Sequence, residues 1–191
     1  MRMRGMEYRG PKVKHLRSAV IAGLALVATP TRGSEPVMAP EFPTTEPSHW
    51  VGAPVTLGSL RGQVVLLDVW TFGCINCVRT IPWVRQSAAR FGSRGLAIVG
   101  IHTPEFAHER VRDAVVEHVR KHRLEFPHLL DNDSAYWKAL HNEYWPALYL
   151  VDRCGRIRAS AVGEVHLNEP SGQRLEARIE ELLKEDGRGC H

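Results

Sequence analysis

The pattern of hydrophobic and polar positions predicts strands and helices in alternation. Continuous runs of β-branched residues and Leu, typical of buried strands, occupy 60–70, 96–101 and 147–151. Helices are predicted over 78–90, 105–122 and 173–184, with a short helix to residue 140 that is capped by residues 131–134. A turn at 152–155 joins the third run to residues 157–162 as a hairpin. This order predicts the α/β class, with a mixed sheet flanked by helices.

The first 33 residues differ from the rest in charge and hydropathy. They hold seven Lys/Arg and one acid, a net charge of +6, so residues 34–191 carry −2 of the total of +4. No nucleic-acid partner is expected, because the excess positive charge lies outside the predicted folded body. The apolar run at 19–28 is too short to span a bilayer but is typical of a signal-peptide core. We predict a signal peptide or N-terminal anchor over 1–33 and an exported protein, periplasmic or extracytoplasmic; the alternative is a buried helix.

Length and composition allow one domain. A chain of 191 residues with 43% hydrophobic and 24% charged residues is sufficient for one core but short for two. Residues 34–48 contain four prolines and are predicted to be a linker or an extended lead-in to the domain. The predicted domain is 49–186, followed by a tail over 187–191, and a monomer is expected.

Two cysteines, Cys74 and Cys77, follow the first buried run, where a helix is predicted to begin. The unpaired N–H groups and the dipole of a helix start favour a thiolate, which makes Cys74 a nucleophile near neutral pH. Cys77, further into the helix, is placed to attack a mixed disulfide on Cys74. Two alternatives stay open. The pair, with His102, belongs to a metal-binding or metal-delivery module, or the cysteines only staple a loop of a docking domain.

The surroundings of the pair resemble the thioredoxin superfamily. Asp68 lies six residues before Cys74, where thioredoxins carry a buried acid, and Trp70 matches their tryptophan position. Pro82 matches their helix proline, and Pro146 their cis-proline. The stretches WTFGCINC, GIHTPEF, DND and YWPALYLVD resemble the exported TlpA/ResA/DsbE branch, above all the thioredoxin-like domain of DipZ-type proteins. This implies a thioredoxin fold with an N-terminal β extension and a helical insertion after the second core strand.

The resemblance implies an extracytoplasmic thiol–disulfide oxidoreductase with no cofactor beyond the redox-active disulfide Cys74–Cys77. Cys74 is then the attacking thiol and Cys77 the resolving thiol, while a buried Asp68 with a raised pKa takes the proton of Cys77. Pro146 is expected to hold backbone that pairs with a substrate strand. The implied partners are protein thiol or disulfide substrates and a membrane thiol carrier as electron donor, with cytochrome c maturation among the possible settings.

Several residues around this centre have secondary expected roles. Glu105 matches an acid near the cysteine pair in the cytochrome-maturation branch, and a helix-start acid is the alternative. His102 is a candidate for proton handling, and Trp145 is expected either to line or to restrict a peptide groove. The residues between the cysteines, 75–76, include no histidine that could stabilise a thiolate, which favours a reductant. A peroxidase is disfavoured, because Leu67 occupies the position where a peroxidatic site has proline.

Two further cysteines and two further histidines are interpreted as lying outside the active site. In the implied fold, the turn with Cys154 and the end of the last helix near Cys190 lie at the pole opposite the active site. Four cysteines in an exported chain favour even pairing, so we hypothesise a structural disulfide Cys154–Cys190. His118 and His122, one helical turn apart, are predicted to lie on a solvated face rather than to bind metal.

Overall fold

A computed structural model describes residues 37–188 and 190. The described residues form one six-stranded mixed sheet in the order β1-β4-β3-β2-β5-β6. The strands are β1 (Trp50–Val51), β2 (Val64–Trp70), β3 (Leu96–His102), β4 (His128–Leu130), β5 (Ala147–Val151) and β6 (Ile157–Val162). Strands β2, β3 and β4 are parallel, whereas β1 pairs with β4, and β5 with β2 and β6, in antiparallel fashion. The mixed sheet agrees with the predicted α/β class.

Within the described part of the chain, four α-helices flank this sheet: α1 (Ile75–Phe91), α2 (Arg112–Lys121), α3 (Ala135–Ala139) and α4 (Pro170–Lys184). Because alternate residues of a strand point to opposite faces, the fully buried β2 contributes to two cores. Val64 and Leu66 pack with residues of α1 and α4, while Val65 and Leu67 pack with Trp50 and the α3 residue Tyr136. The central strand β2 therefore ends in the middle of the sheet, and its end carries the cysteine loop.

Helix α1 begins one residue after Cys74 and continues through Pro82 to Phe91. The prediction for this helix was three residues late at its start, because the N-cap is a cysteine rather than one of the usual capping residues. Strand β4 was not predicted, since three residues carry too little periodicity for recognition.

The helix predicted over 105–122 is wrong in its first third. Residues Ala107–Arg110 form a 3-10 turn, Val111 is extended at φ −74° and ψ 110°, and α2 starts only at Arg112. The carboxylate of Glu109 accepts hydrogen bonds from the backbone of residues 105 and 106, and this closes a separate turn. Val111 is consequently 54% exposed, while Val115 and Val119 are buried as the periodicity predicts.

The segment predicted as a linker or extended lead-in packs on the domain from residue 38 onward. Met38 forms a β-bridge with Arg156, and the Tyr136 hydroxyl donates to the carbonyl of Pro40 at 2.9 Å. Phe42 is buried, with its ring 5.4 Å from that of Trp50. The folded unit therefore starts before the predicted boundary at 49. The predicted signal peptide or anchor lies outside the described residues, and no helix among the described residues is long and apolar enough to cross a membrane.

Candidate active site

The cysteine loop lies between the end of β2 and the start of α1. Cys74 is the N-cap of α1, and its Sγ accepts a hydrogen bond from the backbone N–H of Cys77 at 3.1 Å. Cys74 is half-buried and Cys77 is 4% exposed, and the two form a disulfide with a Cα–Cα distance of 5.3 Å. Of the two sulfur atoms, the one at the helix start is therefore the more accessible to a substrate thiol.

Asp68 lies in the centre of the sheet, on β2 between Gly100 of β3 and Leu148 of β5. By the alternation of the strand it shares the face of Leu66 and Trp70, which is the face covered by α1. Burial raises the pKa of Asp68 from its ordinary 3.8 to about 7. A carboxyl group with this pKa can accept and release a proton near neutral pH.

The loop before β5 places a proline and a tryptophan beside the cysteines. The Trp145–Pro146 peptide bond is cis, as the resemblance implies, and Pro146 is buried. The indole Nε1 of Trp145 donates to the carbonyl oxygen of Thr103 at 3.0 Å, and its ring centroid is 4.1 Å from that of Trp137. These contacts hold the Trp145 ring in one orientation at the surface.

A shallow groove of about 470 Å³ runs beside Cys74. It is lined by Gly73, Cys74, Ile75, Asn76, Glu105, Glu143, Tyr144 and Trp145. Trp145 therefore lines the groove, one of the two roles expected for it. Ile75 and Tyr144 are about 60% exposed, at 59% and 60%, so the groove offers apolar contact area next to the reactive sulfur. Glu105 is exposed and lies in a loop rather than at a helix start.

His102 is fully buried at the end of β3, next to the equally buried Thr71. Its Nε2 is 3.3 Å from Thr71 Oγ1, and its ring packs against Trp70 at 4.9 Å. Burial lowers the pKa of His102 to about 4, so the ring is neutral at pH 7. Among the described residues no group of three or more His, Cys, Asp or Glu side chains could hold a metal ion.

The prediction of a solvated face for His118 is wrong. Its ring stacks on Trp70 at 5.3 Å, and its Nε2 is buried without a hydrogen-bond partner. His128, on β4, meets the same indole at 5.5 Å. Trp70 is therefore surrounded by His102, His118 and His128, a grouping that arises because β2, β3, β4 and α2 converge there.

Glu109 is the site residue that sequence reasoning missed. It is fully buried, and its Oε1 accepts a hydrogen bond from the backbone N–H of Gly73, next to Cys74, at 3.0 Å. No signal in the sequence marked it, because it is one of several charged residues in a segment that was predicted to be a single helix. Only the folding of the loop after β3 over the cysteine loop brings Glu109 to the site.

Cys154 and Cys190 form a second disulfide, with a Cα–Cα distance of 4.8 Å and a sequence separation of 36. It joins the β5–β6 turn to the segment after α4. Pocket-lining residues beside it, such as Arg61 and Asp186, are not shared with the groove at Cys74. The two disulfides therefore belong to separate sites.

Residues 37–160 match the AhpC/TSA family. The chain belongs to this family. Leu67, at the position where a peroxidatic site has proline, is fully buried in the core, and the expectation against a peroxidase stays a prediction.

Individual relatives show which kinds of protein within the family this chain is similar to. DipZ of Mycobacterium tuberculosis is 44% identical over 115 residues, which cover 60% of this chain but only 16% of DipZ. The thiol–disulfide oxidoreductase YkuV of Bacillus subtilis is 28% identical over 138 residues, covering 71% of this chain and 88% of YkuV. The structure of a secreted Mycobacterium tuberculosis disulfide oxidoreductase homologous to E. coli DsbE superimposes with a TM-score of 0.56 at 26% identity, covering 69% of this chain and 90% of that one.

These relatives and the Cys74–Cys77 disulfide identify the site as a thiol–disulfide redox centre on a thioredoxin fold. The predicted fold and family branch are confirmed. The metal-delivery alternative is not supported, because Cys74 and Cys77 are joined to each other and His102 is packed among aromatic rings behind Thr71.

Proposed function

We propose that this protein reduces disulfides of other proteins outside the cytoplasm, as a monomer, with electrons from a membrane thiol carrier. The observation that carries the proposal is the asymmetry of the pair, in which an accessible Cys74 at a helix start is joined to a buried Cys77. A structural staple would not need one accessible sulfur. A thiol that exchanges with another protein does.

The exchange proceeds in two balanced steps once the pair is reduced. The Cys74 thiolate attacks one sulfur of a substrate disulfide, which forms a mixed disulfide and releases one substrate thiolate. Cys77 then loses its proton to Asp68 and attacks the Cys74 sulfur, which releases the second substrate thiolate and re-forms the Cys74–Cys77 disulfide. Two electrons pass to the substrate, and two electrons from the carrier must restore the dithiol.

The substrate segment is proposed to bind in extended form along the groove. The backbone at Pro146 is buried on one side and adjoins the groove through Trp145 on the other. Exposed Ile75 and Tyr144 give apolar contacts on either side of Cys74. This matches strand addition, in which main-chain hydrogen bonds supply affinity and side-chain contacts supply selectivity.

Export is supported by three independent features. The basic and apolar leader is typical of a signal sequence, and one structural relative is described as secreted. The Cys154–Cys190 disulfide is of the structural kind that forms and persists mainly in oxidising compartments. The resemblance to DsbE-type proteins makes apocytochrome c a substrate to assay first.

The deciding experiment is the equilibrium reduction potential of Cys74–Cys77 in a Cys154→Ser/Cys190→Ser protein with metal chelated. A value near or below about −230 mV, within the thioredoxin and glutaredoxin range, is expected of a reductant. A value near about −120 mV would make the protein a disulfide donor and contradict the proposed direction. Cys74→Ser is the matched control and should abolish reduction of a protein disulfide; loss of stability without loss of activity would instead indicate a stapled docking domain.

A further inference from the structure

Glu109 is a buried charge beside the cysteine loop that the exchange steps above do not use. Its Oε1 accepts from the N–H of Gly73 at 3.0 Å, and its Oε2 accepts from the N–H groups of Glu105 at 2.6 Å and Phe106 at 3.0 Å. Burial opposes ionisation, but these bonds and one from Thr71 outweigh it and lower the pKa of Glu109 below its ordinary value. The carboxylate is therefore charged at neutral pH.

The hydrogen bonds behind Glu109 have a defined direction. A carboxylate can only accept, so the Thr71 hydroxyl donates to Glu109 and its oxygen is free to accept from His102 Nε2–H. His102 is neutral, and its remaining nitrogen, Nδ1, is buried without a partner. Among the described residues, no positively charged side chain is therefore paired with the Glu109 carboxylate, because the groups that donate to it are backbone N–H groups and the Thr71 hydroxyl, which are all neutral.

The position of this charge opposes the effect of the helix start. The N-terminus of α1 stabilises a thiolate on Cys74, while a fixed carboxylate bound to the preceding residue destabilises it. The other charged or titratable groups around the cysteine loop are of two kinds. Glu105 and Glu143 line the groove and are exposed to water, and Asp68 is buried on β2. Three histidines contact the ring of Phe72 in this loop: His102, His108 and His118. No Lys or Arg lines the groove in the part of the chain that the structure describes.

We propose that Glu109 is a positioning residue that fixes the turn at Gly73 and, through its charge, disfavours the Cys74 thiolate and thereby lowers the reduction potential of the pair. The reduced pair must carry its two electrons as thiols or thiolates, so a site that stabilises the thiolate poorly holds electrons less tightly and donates them more readily to a substrate disulfide. This inference rests on the proposed function and gives a structural cause for its direction.

Glu109→Gln removes the charge with little change in shape and tests the proposal directly. In a Cys154→Ser/Cys190→Ser background, the equilibrium constant for reduction of a reference disulfide by the variant dithiol should fall by about three- to tenfold, as expected for a partly screened charge. A tenfold change equals about 30 mV for this two-electron couple. The alkylation rate of Cys74 at acidic pH, measured in Cys77→Ser protein, should rise by a similar factor. Glu105→Gln is the matched control, because Glu105 lies in the same groove but is exposed.

Gly73→Ala perturbs the contact from the opposite side. A Cβ at this position would overlap the Glu109 carboxylate, so the charge is displaced while the carboxylate is retained. We expect the reduction potential to change in the same direction as in Glu109→Gln, while the far-UV circular dichroism spectrum stays that of the parent protein. If both folded variants keep the parent potential and Cys74 pKa, or if Glu105→Gln shifts them equally, Glu109 is only structural and the proposal is wrong.

A measurement that needs no change at Glu109 completes the test. In Cys77→Ser protein, we expect a Cys74 pKa at the upper end of the range of about 3.5–7.5 found for activated thiols. A pKa below about 5 would overturn the inference even if the Glu109 and Gly73 variants did not fold. Absence of a reversible two-electron couple in the parent protein would instead reject the proposed function itself.

Discussion

At the scale of single residues, the chemistry of the site depends on which carboxyl groups are buried and on which hydrogen bonds they accept. Asp68 and Glu109 are both buried carboxyl groups, yet burial raises the pKa of the first while hydrogen bonds keep that of the second low. The difference lies in the donors. Glu109 receives three backbone N–H groups, whereas the pKa of Asp68 is governed by burial alone. One carboxyl can therefore move a proton at neutral pH and the other is a fixed charge.

Asp68→Asn is expected to stabilise the oxidised protein at alkaline pH. The folded-state pKa of about 7 lies above the ordinary 3.8, so the stability associated with the bound proton is complete below pH 3.8 and is lost as the pH rises through 7. The free energy of unfolding at pH 8.5 should rise by roughly 2–4 kcal/mol in the variant, with little difference at pH 4. Urea denaturation at the two pH values measures this. Equal effects at both would show that Asp68 is not protonated in the folded state.

Acid should destabilise the protein through the histidines around Trp70. Burial lowers the pKa of His102 to about 4 and that of His128 to about 3, whereas both titrate near 6.5 when unfolded. The unfolded state therefore binds more histidine protons as the pH falls from 6.5, and these two groups lower the free energy of unfolding by up to about 2.7 kcal/mol per pH unit toward pH 4. The protonation of Asp68 in the folded state offsets about 1.4 kcal/mol per pH unit of this decline below pH 7. His128→Gln should reduce that slope by about 1.4 kcal/mol per pH unit, which is the contribution of one proton. An unchanged slope would exclude His128 as a contributor.

At the scale of elements, two helices approach closely on the face of the sheet that α1 covers. Gly172 of α4 is buried, and a Cβ there would lie 2.9 Å from the Trp83 ring of α1 and would overlap the carbonyl oxygen of His166. The exposed pairs of Arg90 with Glu176 and Glu180 also bridge these helices, but surface ion pairs contribute little. At Gly172, therefore, α1 and α4 leave no room for a side chain.

Gly172→Ala should destabilise the protein although alanine is the better helix former. Overpacking costs about 1–3 kcal/mol and outweighs a gain of at most about 1 kcal/mol in helix propensity. Gly92→Ala is the matched control, because its backbone is helical and nothing lies within 4 Å of the added Cβ. Thermal unfolding should show a lower Tm for the first variant and an equal or higher Tm for the second. A Tm for Gly172→Ala at or above the parent value would refute the close-contact argument.

At the scale of the whole molecule, the two disulfides have different roles because they lie at different places in the fold. Cys74–Cys77 spans three residues, which constrains the unfolded chain little, whereas Cys154–Cys190 closes a loop of 36. The loop contains β6 and α4, so the link joins the end of the last helix to the sheet. Stability and redox chemistry are therefore separable.

Cys154→Ser/Cys190→Ser should lower the free energy of unfolding by about 2–4 kcal/mol, as expected for a loop of this length. The reduction potential of Cys74–Cys77 should not change, because the groove residues and those around Cys190 do not overlap. Chemical denaturation and redox titration of the same samples check both statements. A shift in potential would show that the two sites are coupled.

Most of the strand and helix order and the cysteine pair could be predicted from the sequence, because they depend on periodicity and spacing along the chain. The buried Asp68 and the cis-proline Pro146 were expected from the resemblance to the thioredoxin superfamily. Sequence reasoning failed at Glu109, which lies in a turn within the segment predicted as one helix, and at His118, which was expected on a solvated helix face. Glu109 is buried because the loop after β3 folds over the cysteine loop, and His118 packs on Trp70 where β2, β3, β4 and α2 converge. Both contacts join residues more than thirty positions apart in the chain. Tertiary structure decided them because desolvation and hydrogen bonding depend on neighbours in space, and no periodicity along the chain encodes those neighbours.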